Sequence, residues 1–427
     1  MIKAPQGAFA FSTMDKSQPA IPYFSNMNYI LFDDSLSEHL LPLTYTRPSC
    51  ELLVGIWRLR EKWESRLGRS VSFIPYRNYL ANKYTVHFTE DNTYINGALL
   101  VDDDLFSAVS ALGMQQALVQ DNRVLAVRSF NQMHRFETDL LTAAGIQSLN
   151  FEGKADWIAY PEDIFHKNGR EIARDFAAIT ANRQSAKVDD SNRLIAAENI
   201  FIEEGATLTA CTINAKAGPV YIAAGAEVME GATIRGPFYL GEQSAVKMGA
   251  KIYGDTSIGP HCKVGGEITN SVMLGYSNKG HDGYMGNSVI GEWCNWGADT
   301  NNSNLKNNYE QVKLWDHVTG RFRNTGLQFA GLIMADHAKC GINTMFNTGT
   351  VVGVGANVFG AGFPRNFMPA FAWGGAQSLE TFRFAKFCET AQKVLERRGL
   401  VLDEREKSIL EAIYNETSSQ RSWEKNN

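Results

Sequence analysis

The sequence predicts two fold classes along one chain, a Rossmann-like α/β domain followed by a parallel β-helix. In the first part of the 427-residue chain, short apolar runs alternate with helical patterns, as strands and helices do in α/β domains. In the second part an aliphatic residue recurs every six positions, and a small residue follows it two or three places later. A chain of this length is expected to form more than one domain.

Composition and charge favour a globular protein and argue against several classes of partner. Hydrophobic residues make up 44% of the chain and charged residues 20%, which is ordinary for globular domains. The net charge of −5 argues against nucleic acid or an anionic membrane as a partner. Six widely separated cysteines, without CxxC or zinc spacing, suit a reducing compartment. We therefore expect a cytoplasmic protein.

The α/β domain is assigned to residues 28–185. Residues 1–27 are predicted to be a disordered extension, because they contain Pro, Gly and Ser but no apolar signal-peptide core. The first strand, residues 28–33, ends in acidic residues. A helix is predicted over residues 52–63, where Leu and Ile recur at helical spacing. Further strands are predicted at residues 70–75, 97–101 and 124–127.

The β-helix is assigned to residues 186–375. Each coil of such a fold has three short sides that point one aliphatic residue inward, and Gly and Ala fit the tight corners. Periods of 3.6 or 2, typical of helices and sandwich strands, do not fit a repeat of six. Loops are expected at residues 277–284 and 299–309, where the repeat is interrupted. The repeats begin at Ile202, Ile222, Val228, Leu240, Val246, Ile252, Ile258, Val264, Ile290 and Val352.

Residues 376–427 are predicted to form two helices. Ser378 and Asp403 are the predicted N-caps, and Gly399 is the predicted end of the first helix. The first helix is expected to pack on the β-helix or on a neighbouring subunit. The apolar stripe that would make this contact consists of Phe384, Phe387, Ala391 and Val394.

A closely spaced set of residues in the β-helix resembles a known acyltransferase site. The set comprises Gly280-His281-Asp-Gly-Tyr284-Met-Gly286, Ile290-Gly291, Asn295-Trp-Gly297-Ala298-Asp-Thr300 and Asn304. It resembles the acetyltransferase domain of the bifunctional N-acetylglucosamine-1-phosphate uridylyltransferase/glucosamine-1-phosphate acetyltransferase family, in its archaeal and alternative bacterial branch. The resemblance covers about residues 220–365. It implies left-handed coils, acetyl-CoA as the co-substrate and a homotrimer with sites between neighbouring subunits.

The same resemblance implies a role for individual residues. His281 is the predicted general base, since imidazole titrates near working pH, and Glu267 is its predicted acidic partner. A structural histidine and a surface carboxylate are the alternatives. The implied substrate-binding residues are Lys247, Tyr284, Asn295, Lys306 and Lys313. The implied cofactor-binding residues are Ala298, Asn304, Ile342 and Gly360.

A segment of the α/β domain resembles the end of the nucleotide-binding signature of sugar-1-phosphate nucleotidyltransferases. It reads Leu40-Leu-Pro42-Leu43-Thr44-Tyr-Thr-Arg47-Pro48-Ser49. In that family a Gly-rich loop and basic side chains approach the triphosphate. Serines stand here at the positions of the glycines and of the following lysine. The resemblance implies Thr44 and Arg47 as nucleotide-binding residues, with UTP or another NTP as substrate.

Asp103 is the predicted ligand for a Mg²⁺ ion in nucleotidyl transfer, because it follows an apolar strand. The alternative is an acidic helix N-terminus, where the helix dipole favours carboxylates.

The combined interpretation is a bifunctional enzyme of UDP-N-acetylglucosamine-type nucleotide-sugar synthesis. One alternative is an acyltransferase whose N-terminal domain is not catalytic, and another is a trimeric β-helix scaffold without catalysis. A zinc hydratase on the same coil would need three imidazoles, and the sequence lacks the expected His-x4-His pair.

Overall fold

The computed structural model describes residues 27–426 and shows an α/β domain, a β-helix and C-terminal helices. The predicted fold class is therefore confirmed. The predicted extension, residues 1–27, lies outside the described residues except for Met27. Within the described range, no helix combines the length and apolar character needed to cross a membrane.

The α/β domain contains eight strands and four α-helices. The strands are β1 (Asn28–Phe32), β2 (Ser72–Ile74), β3 (Asn92–Asn96), β4 (Leu99–Leu100), β5 (Gln116–Gln120), β6 (Arg123–Ser129), β7 (Gln147–Asn150) and β8 (Asp156–Trp157). The helices are α1 (Leu59–Leu67), α2 (Asp103–Ser110), α3 (Thr138–Ala143) and α4 (Pro161–Thr180). Six strands form a mixed sheet in the order β2-β1-β3-β6-β5-β7, while β4 and β8 form a separate antiparallel pair. In the main sheet β1 runs parallel to β2 and β3, and β6 runs antiparallel to β3 and β5.

The helix predicted over residues 52–63 is wrong in its first half. Helix α1 begins only at Leu59, and Leu52 and Leu53 lie outside it. Both leucines are buried in an apolar cluster that also contains Val272 and Ile333 of the β-helix. The apolar pattern therefore reports burial against the second domain and not a helical face.

The β-helix is left-handed and makes about ten turns. Its strands are β9 (Arg193–Ile195), β10 (Ile200–Ile202), β11 (Thr207–Leu208), β12 (Thr212–Asn214), β13 (Val220–Ile222), β14 (Glu227–Val228), β15 (Thr233–Arg235), β16 (Phe238–Leu240), β17 (Ala245–Val246), β18 (Lys251–Ile252), β19 (Thr256–Ile258), β20 (Lys263–Val264), β21 (Glu267–Thr269), β22 (Val272–Gly275), β23 (Asn278–Lys279), β24 (Tyr284–Gly286), β25 (Val289–Glu292), β26 (Asn301–Asn302), β27 (Lys313–Asp316), β28 (Arg321–Asn324), β29 (Leu332–Met334), β30 (Lys339–Cys340), β31 (Met345–Phe346), β32 (Thr350–Val352), β33 (Asn357–Val358), β34 (Phe367–Met368), β35 (Ala372–Gly374) and β36 (Leu379–Thr381).

These strands form three faces of the coil. The first face has the order β10-β13-β16-β19-β22-β25-β29-β32-β34. The second face has the order β11-β14-β17-β20-β23 and continues through bridges at Asn278, Asn295 and Lys339 to β30-β33-β35. The third face has the order β24-β21-β18-β15-β12-β9. Between the faces, β27 and β28 form an antiparallel hairpin that leaves the coil.

The α/β domain packs against the outside of the first face. Helix α4 contacts β16, β19, β22 and β25 along this face. Outward residues of these coils, among them Val272, Val289 and Ile333, are apolar and join one cluster with Leu40 and Leu43. Because this surface is covered, both sides of the first face carry apolar residues. The division into domains at residues 185 and 375 stays a prediction.

Two C-terminal helices follow the coil, α5 (Phe384–Glu396) and α6 (Glu404–Glu416). Asp403 caps α6, as predicted, by accepting a hydrogen bond from the Glu406 backbone N–H at 2.9 Å. Ser378 does not cap α5, whose N-cap is Arg383, because β36 intervenes between Ser378 and the helix. Helix α5 packs on the coil through Phe387 and Ala391, and Leu395 on the same helix is also buried.

Candidate functional site

A cavity of about 680 Å³ lies on the second face of the β-helix, beside the end of α5. We refer to it as the second-face cavity. Five residues that the sequence singled out line it together, although they come from several coils. These residues are Lys247, His281, Asn295, Ala298 and Ile342.

The second-face cavity combines positive charge with aromatic rings. Within the described part of the chain, the lysine and arginine side chains that line it face no carboxylate in the lining. The rings of Tyr276 and Trp293 stack with centroids 4.3 Å apart and form a flat wall. Such a site suits an anionic ligand that also has a planar or apolar part. The cations are Lys247, Lys263, Lys339, Arg397 and Arg398.

The coil register explains why polar side chains gather here. Lys263 pairs with Asn278, Asn278 with Asn295, and Asn295 with Lys339, so that the four form one column. Side chains alternate between the two sides of a strand, and the next residue of these strands points into the core. Lys263, Asn278 and Lys339 are members of this column that the sequence motifs did not indicate. The sequence feature that could have predicted them is their position directly before an inward-pointing residue of the repeat.

His281 lies on a loop at the corner between the second and third faces, between β23 and β24. Its side chain is exposed, and within the described structure the imidazole has no hydrogen bond or ion pair. The loop ends at Gly283, which has a φ of +112°. A Cβ atom at Gly283 would come within 2.2 Å of the Thr300 carbonyl oxygen, so only glycine fits. The imidazole is thus presented to the cavity without an internal partner.

The other predicted residues near His281 lie on the third face. Glu267 and Tyr284 are neighbours in register on β21 and β24. The Tyr284 hydroxyl accepts a hydrogen bond from Asn304 Nδ2 at 2.9 Å, and burial raises the pKa of Tyr284. Among the described residues, no hydrogen bond or ion pair connects Glu267 with His281. The predicted site is therefore divided between two faces that meet at the His281 loop.

Lys306 and Lys313 lie apart from the second-face cavity. They line another cavity, of about 540 Å³, together with Arg365 and Phe367. Lys306 also forms an ion pair with Glu310, four residues later in the sequence, at 3.9 Å.

Gly360 is not among the described residues that line the second-face cavity. It follows β33 in a left-handed conformation, with a φ of +106°. Ile342, by contrast, lines the cavity with an exposed side chain.

The predicted nucleotide-binding residues are buried. Thr44 Oγ1 donates a hydrogen bond to the Ser37 carbonyl oxygen at 3.0 Å. Arg47 forms ion pairs with two carboxylates of the β-helix, Glu292 at 3.1 Å and Asp336. All of residues 40–56 are buried, so the segment that resembles a nucleotide signature lies in the contact between domains.

The buried charges at this contact shift the pKa values of their partners. Burial alone would raise the pKa of Glu292, but Arg47 and Arg58 lower it to about 2. Burial raises the pKa of Asp336, although Arg47 opposes this shift. Glu292 is thus held as a carboxylate by two arginines of the α/β domain.

Asp103 occupies the first turn of α2, which Asp102 caps. Its side chain is 92% exposed and forms an ion pair with Arg66 at 2.6 Å. This hydrogen-bonded pair lowers the pKa of Asp103. Residues 27–426 contain no group of three or more His, Cys, Asp or Glu side chains suited to hold a metal. Asp103 offers a single carboxylate to a metal. It could therefore bind only a Mg²⁺ ion whose other ligands come mainly from the phosphates of a nucleotide.

Asp33 is a further buried carboxylate in the α/β domain. It follows β1 and accepts hydrogen bonds from the Ser49 backbone N–H, at 3.2 Å, and from the Ser49 hydroxyl. Burial raises the pKa of Asp33 to about 7. The acidic end of the first predicted strand was visible in the sequence, but its burial was not.

The fold and site together define a sugar nucleotidyl transferase-like domain joined to a β-helix with a cationic cavity. Residues 29–184 match the family model described as sugar nucleotidyl transferase. The chain is 32% identical over 93 residues to a bifunctional sugar-1-phosphate nucleotidylyltransferase/acetyltransferase of Sulfurisphaera tokodaii, covering 22% of this chain and 23% of the relative. It is 33% identical over 87 residues to the bifunctional protein GlmU of Methanocaldococcus jannaschii, covering 20% of this chain and 21% of the relative.

A third relative, the bifunctional protein GlmU of Methanococcus vannielii, is 28% identical over 123 residues, which is 28% of each chain. The chain thus spans between about a fifth and about three tenths of the length of these relatives. The resemblance to the bifunctional nucleotidyltransferase/acetyltransferase family that the sequence indicated is confirmed by these matches.

Proposed function

We propose that the protein is a bifunctional enzyme of nucleotide-sugar synthesis. One activity transfers the acetyl group of acetyl-CoA to glucosamine-1-phosphate or a related amino sugar. The other joins the resulting sugar-1-phosphate to UTP or another NTP. The observation that carries the acetyltransferase is the second-face cavity, which gathers His281, Lys247, Asn295 and Ala298 from three coils.

The acetyl transfer forms a C–N bond and breaks the thioester C–S bond. His281, at the edge of the cavity, accepts a proton from the attacking amine, and coenzyme A leaves as the thiol. Lys247 holds the phosphate of the sugar through its charge, and the Asn295 amide hydrogen-bonds to a sugar hydroxyl. Holding both substrates in one cavity replaces a bimolecular encounter by a reaction between bound groups.

The division of the site between two faces supports a homotrimer. Glu267, Tyr284 and Asn304 lie on or beside the third face, around the corner from the second-face cavity. In a trimer, a neighbouring subunit brings its third face to this cavity and completes the site. Met248, 69% exposed, lies near the same corner and offers apolar surface for this contact. A monomer by light scattering at micromolar concentration would contradict this assembly.

The family match of residues 29–184 supports nucleotidyl transfer by the α/β domain, with Mg²⁺ bound at Asp103. The burial of residues 40–56 favours a second candidate, in which this domain serves to hold the β-helix. Release of pyrophosphate from an NTP in the presence of a sugar-1-phosphate and Mg²⁺ distinguishes the two. The six unpaired cysteines support a reducing compartment such as the cytoplasm.

The acetyltransferase is tested by mixing the purified protein with acetyl-CoA and glucosamine-1-phosphate and following free thiol. Thiol release that depends on the sugar supports the proposal. A folded trimer that releases no thiol with glucosamine-1-phosphate, galactosamine-1-phosphate or their 6-phosphate isomers would overturn it. Hydrolysis of acetyl-CoA without the sugar is the background to subtract.

A further inference from the structure

One inward column of the second face changes character at the coil that carries His281. The column is aliphatic through four successive coils and then contains Lys279, which pairs in register with Val264. All of these side chains point into the core of the coil. The four aliphatic residues are Leu208, Val228, Val246 and Val264.

Lys279 is buried where the repeat predicts an aliphatic residue. Its relative exposure is 2%. Transfer of an ammonium group into such surroundings is unfavourable unless it finds hydrogen-bond acceptors. Burial accordingly lowers the pKa of Lys279 to about 8, although Asp282 and Asp299 oppose this shift. A lysine at this position therefore needs a reason other than the packing of the coil.

The contacts of Lys279 point to the His281 loop. Its Nζ atom donates hydrogen bonds to the carbonyl oxygens of Gly265 and His281, both at 2.9 Å. Gly265 belongs to the coil below, and its N–H donates to the Lys279 carbonyl oxygen at 2.7 Å. The ammonium group thus ties the backbone of His281 to the preceding coil from inside the core.

We infer that Lys279 is a positioning residue, which fixes the His281 loop so that the imidazole faces the second-face cavity. This inference rests on the acetyl transfer proposed above. The side chain of His281 has no internal partner among the described residues, so the backbone contact sets where the ring can lie. Misplacement of a catalytic group by about 1 Å can reduce the rate by about 10²-fold.

The test is Lys279→Met, which keeps the length of the side chain and suits an aliphatic column. We expect kcat for acetyl transfer to fall by about 10- to 10²-fold, with both KM values within about threefold of the wild type. The matched control is Val228→Met, which puts the same side chain into the same column three coils away and should leave kcat unchanged. Lys279→Gln keeps a hydrogen-bond donor and should retain more activity than Lys279→Met. If Lys279→Met does not fold, Lys279→Gln takes its place in the test.

A second measurement does not depend on activity. The imidazole signals of His281, assigned by their loss in His281→Ala, should shift and broaden in Lys279→Met and stay unchanged in Val228→Met. Unchanged signals and unchanged kcat in a folded Lys279→Met trimer would overturn the inference while leaving the acetyltransferase intact. If the wild type transfers no acetyl group, the proposed function fails, and the imidazole signals alone then decide whether Lys279 holds the loop.

Discussion

Buried Arg47 of the α/β domain and half-buried Glu292 of the β-helix form an ion pair, with Nη1 and Oε1 3.1 Å apart. Arg47 also pairs with Asp336, and Arg58 pairs with Glu292 at 3.1 Å and with Glu51 at 2.7 Å. Arginines from one domain therefore neutralise carboxylates of the other in a largely buried contact. The segment that resembles a nucleotide signature thus holds the domains together in this structure.

Arg47→Met should destabilise the protein by about 3–5 kcal/mol, because it leaves Asp336 buried without its cation and removes one of the two arginines that pair with Glu292. Unfolding in urea, followed by tryptophan fluorescence, measures the change. Arg66→Met is the control, since its partner Asp103 is exposed, and it should leave the urea midpoint nearly unchanged. A midpoint for Arg47→Met equal to that of the control would show that the network contributes little.

His281→Ala should lower kcat for acetyl transfer by about 10²–10⁴-fold, the contribution typical of a general base. The fold and the trimer should be unaffected, because the side chain is exposed and without an internal partner. Thiol release and light scattering measure the two properties. His87→Ala, which changes an exposed histidine of the α/β domain, is the control. Activity of His281→Ala within about twofold of this control would remove His281 from the mechanism.

Asp33→Asn should become more stable relative to the wild type as the pH rises. Burial raises the pKa of Asp33 from 3.8 to about 7, so between these values the folded state holds a proton that the unfolded chain has released. Stability of the wild type is therefore lost as the pH rises from about 4 to about 7, by at most about 4 kcal/mol from this group. Urea midpoints of both proteins at pH 5 and pH 8 measure the effect. The prediction is contradicted if the urea midpoints of the wild type and Asp33→Asn differ by the same amount at pH 5 and at pH 8.

Phe387→Ala should destabilise the docking of α5 by about 3–5 kcal/mol, the usual effect of emptying a buried aromatic site. The ring is buried and lies 4.9 Å from that of Phe371 by centroids. Hydrogen exchange of residues 384–416 measures local opening, and Val401→Ala, at an exposed position, is the control. If residues 384–416 are as well protected from exchange in Phe387→Ala as in Val401→Ala, contacts other than that of Phe387 hold α5 on the coil.

Asp103→Ala should lower nucleotidyl transfer by about tenfold or more if this carboxylate binds Mg²⁺, and should leave acetyl transfer unchanged. Pyrophosphate release with UTP and the acetylated sugar phosphate measures the first activity. Asp104→Ala, one residue further along α2, is the control. If Asp103→Ala retains full nucleotidyl transfer, Asp103 does not bind Mg²⁺. Its role is then limited to the ion pair with Arg66 in the first turn of α2.

The β-helix and the cap of α6 could both be predicted from local sequence pattern. A six-residue repeat reports which side chains point inward in every coil, and this follows from the backbone period alone. Asp403 caps α6 because capping is a contact within three residues. The grouping of His281 with Asn295 and Ala298 was equally accessible, since His281 lies on one coil of the repeat and the other two residues lie on the next.

The partners that bury the other residues became visible only in the folded chain. Leu52 and Leu53 fit a helical pattern, yet they lie outside α1 and pack against the first face. Arg47 and Lys279 are cations that the sequence gives no reason to bury, and each finds its oxygen acceptors on a segment that only folding brings near. An apolar or charged pattern in the sequence predicts that a side chain will be buried or paired. Which residue it contacts depends on how the coils and domains stack.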